Sequence, residues 1–432
     1  MTRLVLAAAL VQTSLNAYLL TLLVAAARWR PIPATGGAPG ALAFAVVVPA
    51  RDEEASIGAT LRSLRALDHP PELVHVVVVA DNCSDRTAEV AAGLGAITWR
   101  RRGGDEGKGG ALAWAVERLR TDGPKAAAMV VVDADCTVAP NLLTAIEHRL
   151  RAGARVVQVP YRVANPEESP IAALRWASFA LINGVRPLGK ATLGLSAGLF
   201  GTGMAFSREL LATQPWTASS LLEDQEQHLA LVSAGERVVF APETWVASAM
   251  PTSLGRSTSQ ALRWDAGRGA LIRAWTPRLV LSGLRRRDPT RLHAGLEPLV
   301  PPQSLLLAAN LAGGVVGLRR SSPLRRLALA NLAGQLAFIV GGLAVARAPA
   351  SVWRALLRAP IFAIWRLALL LRLLAGRGPT RWVRTAREPQ AAFDRPDSRR
   401  AMRSSWSRLT NARSSGSARG EPRRPAAAQP AK

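Results

Sequence analysis

A short run of continuous apolar, mostly β-branched residues ends in acidic residues, and a helical stretch follows; the chain repeats this pattern three times. The first run, at 44–48, leads into Pro49-Ala50-Arg51-Asp52-Glu53-Glu54. The second, at 74–79, leads into Ala80-Asp81-Asn82-Cys83-Ser84-Asp85, and the third, at 127–132, into Asp133-Ala134-Asp135. Helical patterns occupy 56–67, 84–94 and 110–119 between them, and a fourth follows at 141–151. Uniformly apolar strands separated by helices belong to a parallel sheet covered on both faces. The expected fold class is therefore α/β. In such sheets ligands bind beyond the carboxyl ends of the strands, which is where the acidic residues fall.

An aspartate at a strand end is commonly a turn or helix cap, and Ser84 or Asp85 suits that role. Asp133 and Asp135, taken alone, are open to two readings. One is a strand-end turn. The other is a site for Mg²⁺ or Mn²⁺, hard cations that take oxygen ligands and share carboxylates with substrate phosphates. Three acidic clusters on one rim repel unless a cation or polar ligand is held between them. Residues 100–110, RRRGGDEGKGG, open a helix between the second and third runs. Their glycines let backbone approach a ligand, and their cations suit phosphate. The order differs from G-x-x-x-x-G-K-[ST], because Gly109 follows Lys108.

Long apolar segments flank this region. Residues 4–27 carry no charge and exceed the roughly 20 residues that a membrane span needs. Gln12, Thr13, Ser14 and Asn16 interrupt them and are expected to face another helix. A cleaved signal peptide is the alternative, but its apolar core would run only about 7–15 residues. Residues 298–318 and 327–346 are also uncharged except at the edge of the second helix's approach, where Arg319, Arg320, Arg325 and Arg326 stand between them. Their pairs Gly313-Gly314 and Gly341-Gly342 permit close helix packing. In 351–374, Arg354, Arg358, Arg366 and Arg372 fall within about a third of a helix circumference. Mixed with Trp353, Phe362 and Trp365, they read as a helix lying in the interface, bent at Pro360. The organisation expected is an anchor at 1–30, a catalytic α/β domain at 40–275, interfacial and membrane helices at 276–376, and a disordered basic tail at 377–432.

The formal net charge is +25, and nearly all the positive charge is Arg. This balance fits membrane lipids or anionic substrates. Zinc-finger spacing and RNP-like motifs are absent from the sequence, so no nucleic-acid partner is expected. Cys83 and Cys136 stand in no metal-binding spacing.

Seven motifs occur in order: VVVPARDEEASI, VVVADNCSDRTAEVA, GKGGALAWA, VVDADC, GTGMAFSRE, LLEDQEQHLALVSAGERVVFAPE and QALRWDAGRG. In that order the chain resembles a membrane-associated family 2 glycosyltransferase with a GT-A fold, akin to the cellulose, chitin and hyaluronan synthase group. The resemblance covers roughly residues 43–269 and the flanking segments. It implies that Asp52, Glu53 and Asp81 lie near the nucleotide of a nucleotide-sugar donor, UDP-linked in the group resembled, and that Lys108 does too. It implies that Asp133 and Asp135 form the D-x-D pair, Asp135 ligating Mg²⁺ or Mn²⁺. Glu223 and Asp224 match the E-D motif whose Asp is the general base. Gln260, Arg263 and Trp264 match Q-x-x-R-W, with Arg263 near the diphosphate and Trp264 stacking on an acceptor sugar. Trp382, Arg384 and Arg387, in WVRTAR, resemble a basic segment found after the membrane part of many relatives. The implied activity is inverting sugar transfer to a lipid-linked or glycan acceptor. Read from the residues alone, a nucleotidyl- or phosphoryl-transferase using the same carboxylates remains an alternative, as does a non-catalytic membrane scaffold with a basic tail.

Arg28 and Arg30 follow the first apolar segment, and only Arg3 precedes it. Excess positive charge marks the cytoplasmic flank, so the catalytic domain is expected in the cytosol, where nucleotide sugars are made. Arg319, Arg320, Arg325 and Arg326 would then face outward, so either the first helix and the tail dominate or the late pair is a re-entrant hairpin.

Overall fold

The computed structural model describes residues 2–30, 40–104, 107–318 and 322–375. The tail at 377–432, Trp382, Arg384, Arg387, Arg319 and Arg320 lie outside the described residues.

The three apolar runs are strands, β1 (Phe44–Ala50), β2 (Val74–Asp81) and β4 (Ala128–Val131), with β3 (Ile97–Arg101) beside β2. β5 (Cys136–Val138), β6 (Val156–Gln158), β7 (Tyr161–Val163), β8 (Met204–Ser207), β9 (Val238–Phe240) and β10 (Val246–Ser248) are shorter. Seven of them form one sheet in the order β3-β2-β1-β4-β8-β6-β9. β1 pairs in parallel with both β2 and β4, and β2 with β3. β8 runs antiparallel to both its neighbours, β4 and β6. β5, β10 and β7 make a second, three-stranded sheet.

Both faces of the main sheet are buried, as uniformly apolar strands require. Val46, Val48, Val78, Val130 and Val132 pack on Leu61, Leu64, Leu142 and Ile146, from the helices Ile57–Arg65 and Leu142–Arg151. The alternate residues Val47, Val77, Val79, Met129 and Val131 face the other core with Leu112 and Val116 of the helix Lys108–Thr121. Each buried Val side chain contributes about 1.5–3 kcal/mol relative to exposure, so a polar residue in any of these runs would be costly.

Among the described residues, two helices are long and apolar enough to cross a membrane, Val5–Ala27 and Ser322–Val345. The expected span at 298–318 is a 16-residue helix, Gln303–Leu318, bent by 71° from the helical stretch Pro289–Leu299; together the two are long and apolar enough to cross as a broken span or to form a re-entrant loop. Pro301 and Pro302 sit at that break, where helical backbone is disfavoured before proline. The polar residues of the first helix divide in two. Gln12 donates to Ala309 O at 3.1 Å, and Asn16 donates to Asn310 Oδ1 at 3.2 Å and to Asn331 O at 3.0 Å. Thr13 and Ser14 bond carbonyls of their own helix. Gly341 and Gly342 do permit close approach: a Cβ at Gly342 would lie 2.3 Å from Leu181 Cδ2.

The expected single helix at 351–374 is broken by a 3-10 turn, Leu356–Arg358, and Pro360 stands in the first turn of the helix Ala359–Leu374. A proline there removes no helical hydrogen bond. Its arginines do not share one solvent-facing stripe. Arg354, Arg358 and Arg372 are exposed, but Arg366 turns inward and bonds Asp265 at 2.7 and 2.8 Å. The helix carrying Asp265, Leu254–Arg286, runs continuously through residue 275.

The first helix also packs on the helix Arg186–Thr192. A Cβ at Gly189 would lie 2.2 Å from the carbonyl oxygen of Leu22. Gly189→Ala is therefore expected to cost about 1–3 kcal/mol through overpacking. Thermal unfolding in detergent measures this; an unchanged midpoint would mean that the two helices do not meet at Leu22.

Candidate active site

Because β1, β2 and β4 are parallel, the residues that follow them reach one edge. There Glu53, Asp81, Asp133 and Asp135 line a cleft of about 180 Å³. Gly107 and Lys108 contribute from the start of the helix Lys108–Thr121, and Gln260 and Arg263 from the helix Leu254–Arg286. Tyr161 of β7 and Ser248 of β10 complete the lining, joined by a 2.6 Å hydrogen bond between their hydroxyls. Neither was picked out from the sequence. The carboxyl-end rule would have found Ser248 only if the three-residue strand before it had been legible.

Lys108 is the centre of the arrangement. Its Nζ forms an ion pair with Asp133, donates to Gly201 O at 2.7 Å and lies 3.9 Å from Glu223 Oε1. The glycines around it have separate roles. Gly107 takes φ 96°, a left-handed conformation that suits glycine. A Cβ at Gly109 would lie 2.4 Å from Ala218 O, so only glycine lets this helix approach the segment leading to Glu223. Burial alone would lower the Lys108 ammonium, but Asp133, Glu223 and Asp224 outweigh it and hold its pKa above the usual lysine range.

Glu223 and Asp224 begin the helix Glu223–Ser233, whose positive end favours carboxylates. Gln225 N–H donates to Asp224 Oδ1 at 2.8 Å. Gly201 brings Lys108 and Asp224 together: a Cβ there would lie 3.4 Å from Lys108 Nζ and 3.5 Å from Asp224 Oδ2. Burial, and then the Glu223 carboxylate, push the Asp224 carboxyl up to about 7. Burial also raises Glu223, against the pull of Lys108.

Other residues singled out in the sequence are placed differently. Asp81 is buried and accepts from Arg101 Nη1 at 2.6 Å, a pairing set by the β2–β3 register, which makes the two residues Cα partners. Asp52 does not line the cleft. Its backbone has φ 54°, and its Oδ1 accepts from Ser84 N at 2.6 Å and Asp85 N at 3.3 Å, bracing the loop after β2. Glu53 lines the cleft while accepting from Ser56 Oγ. Gln260 Oε1 accepts from the buried Arg175. Trp264 also lies off the cleft lining. The Arg175 guanidinium sits 5.2 Å from its ring centroid, and the Phe179 ring centre 6.1 Å away.

The acidic pair suits a hard divalent cation. One carboxylate oxygen each of Asp133 and Asp135, with Cys136 Sγ, lie within 4.8 Å of one another. Burial, then Asp135 and Asp133, push the Cys136 thiol well above its ordinary range, so without a cation it is neutral and the charged donors are the carboxylate oxygens. Oxygen donors favour Mg²⁺ or Mn²⁺ over thiolate-seeking metals.

Residues 39–267 match the family model described as glycosyltransferase like family 2. The chain is 34% identical over 110 residues to the low-salt glycan biosynthesis hexosyltransferase Agl6 of Haloferax volcanii, a match covering 26% of this chain. The chain spans about a quarter of that curated relative's length, 25%. The mannosyltransferase PcManGT from Pyrobaculum calidifontis, solved with GDP-Man and Mn²⁺, aligns at 19% identity and a TM-score of 0.49, over 78% of this chain and 99% of that one. Glucosyl-3-phosphoglycerate synthase from Mycobacterium tuberculosis, solved with Mg²⁺ and UDP, aligns at 21% identity and a TM-score of 0.38, over 54% of this chain and 79% of that one. The family match and the parallel-dominated sheet bear out the α/β class of GT-A type read from the sequence.

Proposed function

The chain belongs to glycosyltransferase like family 2, and on that premise we propose that it is an inverting, metal-dependent glycosyltransferase. It moves a sugar from a nucleotide-sugar donor, UDP-linked, to a lipid-linked or glycan acceptor at a membrane. The observation that carries this reading is the position of Lys108. One ammonium pairs with Asp133 in the cleft and faces Glu223 and Asp224 beside it. A donor site and a base are thereby joined through one cation.

Asp135 and Asp133 would hold Mg²⁺ or Mn²⁺, which when bound offsets the charge of a departing diphosphate. Glu53 and Asp81 contact the nucleoside, in a loop that Asp52 braces. Arg263 and Lys108 face the diphosphate. Asp224 takes the proton of the acceptor hydroxyl, which is too weak a nucleophile near neutral pH to attack unaided. The acceptor oxygen bonds the anomeric carbon as the bond from that carbon to the diphosphate oxygen breaks on the opposite side. Glu223 keeps the Asp224 carboxyl high, near the pH at which a base works best. Arg175 holds Gln260 in place, and Trp264 serves the acceptor side.

The apolar helices and the basic balance support a place at a membrane. The Q-x-x-R-W run supports kinship with the cellulose, chitin and hyaluronan synthase group. Arg28 and Arg30 support a cytosolic catalytic domain. Labelling of a cysteine placed near Ser56, at the exposed Ala55, by an impermeant reagent in intact cells would reverse that orientation. The activity itself is tested by presenting the purified protein with a panel of nucleotide sugars and Mn²⁺ or Mg²⁺. Release of nucleoside diphosphate from at least one donor is expected, and release from none would sink the reading.

A further inference from the structure

A second cavity, of about 100 Å³, is lined by three cations and one carboxylate: Arg186, Lys190, Arg268 and Glu297. Glu297 is saturated. It accepts from Lys190 Nζ at 2.8 and 2.9 Å and from Arg186 Nη2 at 3.1 Å. Arg268 Nη1 donates to Val300 O at 2.7 Å, and no carboxylate bonds Arg268 among the hydrogen bonds and ion pairs of the described residues. Arg186 is 6% exposed, and its Nε has no hydrogen-bond partner among the described residues. The cavity thus carries excess positive charge. Burial and then Lys190 push the neighbouring His228 down to about 3, so it adds no charge.

Two further observations say where a ligand here would reach. A Cβ at Gly198 would lie 3.4 Å from Lys190 Nζ, just as one at Gly201 approaches Lys108 Nζ and Asp224 Oδ2. Three residues span at most about 11 Å between those glycine Cα atoms. Gln225, which lines the cavity, directly follows Asp224. On its other side, the helix Arg186–Thr192 rests on Leu22, near the domain-side end of the first apolar helix. A polar headgroup belongs at that depth when such a helix spans a bilayer.

We propose that this second cavity binds a phosphate ester carried by the acceptor, anchoring it so that a hydroxyl further along the same molecule meets Asp224. The proposal rests on the glycosyltransferase reading and specifies its acceptor class. Guanidinium and ammonium groups are the side chains suited to phosphate oxygens, and Arg186, Lys190 and Arg268 line this cavity with a single carboxylate among them. In the transfer step the hydroxyl proton goes to Asp224 and the nucleoside diphosphate departs, while the anchoring phosphate is unchanged.

The test measures binding without donor, so that it stands apart from transferase activity. The full chain in detergent is titrated with farnesyl phosphate, farnesol and glycerol 3-phosphate, with thermal shift and calorimetry as readouts. Farnesyl phosphate should bind at least about 10-fold more tightly than farnesol, as expected for a charge-assisted hydrogen bond. Arg268→Gln should weaken it by a similar factor, and Arg268→Lys should restore most of the loss. Arg186→Lys, which keeps the ion-pair charge and removes the guanidinium from the lining, should weaken it too and serves if Arg268→Gln does not fold. Glycerol 3-phosphate binding as well as farnesyl phosphate would keep the phosphate site and assign it a soluble acceptor. Equal binding of farnesol and farnesyl phosphate, or unchanged affinity in both variants, would overturn the proposal. Phosphate binding with no sugar transfer from any donor would leave the site standing and sink the transferase reading alone.

Discussion

Asp224→Asn is expected to lower sugar transfer by about 10²–10⁴-fold, the range typical of a lost general base, and to leave nucleotide-sugar affinity near its parental value. Asparagine keeps the size and the hydrogen bond from Gln225 N–H but cannot take a proton. Donor affinity is preserved because the cleft itself is lined by Glu53, Asp81, Asp133 and Asp135, with Asp224 behind Lys108. The same residue sets the pH dependence. Asp224 acts only when deprotonated, and burial beside Glu223 raises its carboxyl to about 7. Transfer by the parent therefore rises with pH through about 7 and falls away below it. The residual activity of Asp224→Asn lacks that acid limb. Both quantities come from one preparation, by donor titration and product formation. Near-parental transfer in Asp224→Asn would transfer the base role to Glu223, and lost donor binding would move Asp224 into the nucleotide site.

Asp135→Ala is expected to abolish donor turnover, and excess chelator to do the same to the parent, with Mn²⁺ or Mg²⁺ restoring it. The reasoning starts from the two carboxylates after β4. Asp133 also pairs with Lys108, and Asp135 is the proposed cation ligand. Loss of either the ligand or the ion leaves the departing diphosphate without its counter-charge, and these electrostatic terms are often the largest in catalysis. Turnover that continues at full rate in excess chelator would remove the cation from the account.

The first half of the sheet was legible because its strands are long and uniformly apolar. β1, β2 and β4 fall where the runs at 44–48, 74–79 and 127–132 lie, within one or two residues at each end. β5, β6, β7, β9 and β10 have three residues each, too short for any periodicity, and they are held by pairings distant in sequence. The second sheet, with Tyr161 and Ser248, was hidden for that reason. The site divides along the same line. Lys108, Asp133 and Asp135 could be placed because each sits beside an element read from local pattern. The turn of Asp52 toward Ser84 depends on a backbone φ of 54°, and the Asp81–Arg101 pair on the β2–β3 register. Neither is visible in a string of residues. Arg366 shows the same limit on a helix: periodicity put it on the face with Arg354, Arg358 and Arg372, but its partner, Asp265, is 101 residues away in sequence.

The account turns on Asp224 as a base for direct displacement, and the anomeric configuration of the first-formed product tests that most directly. Product made from an α-linked nucleotide sugar is followed by proton NMR before any mutarotation or further turnover. A single displacement assisted by Asp224 gives the β-linked product. An α-linked product would mean retention, and with it a mechanism in which Asp224 is not the base described here.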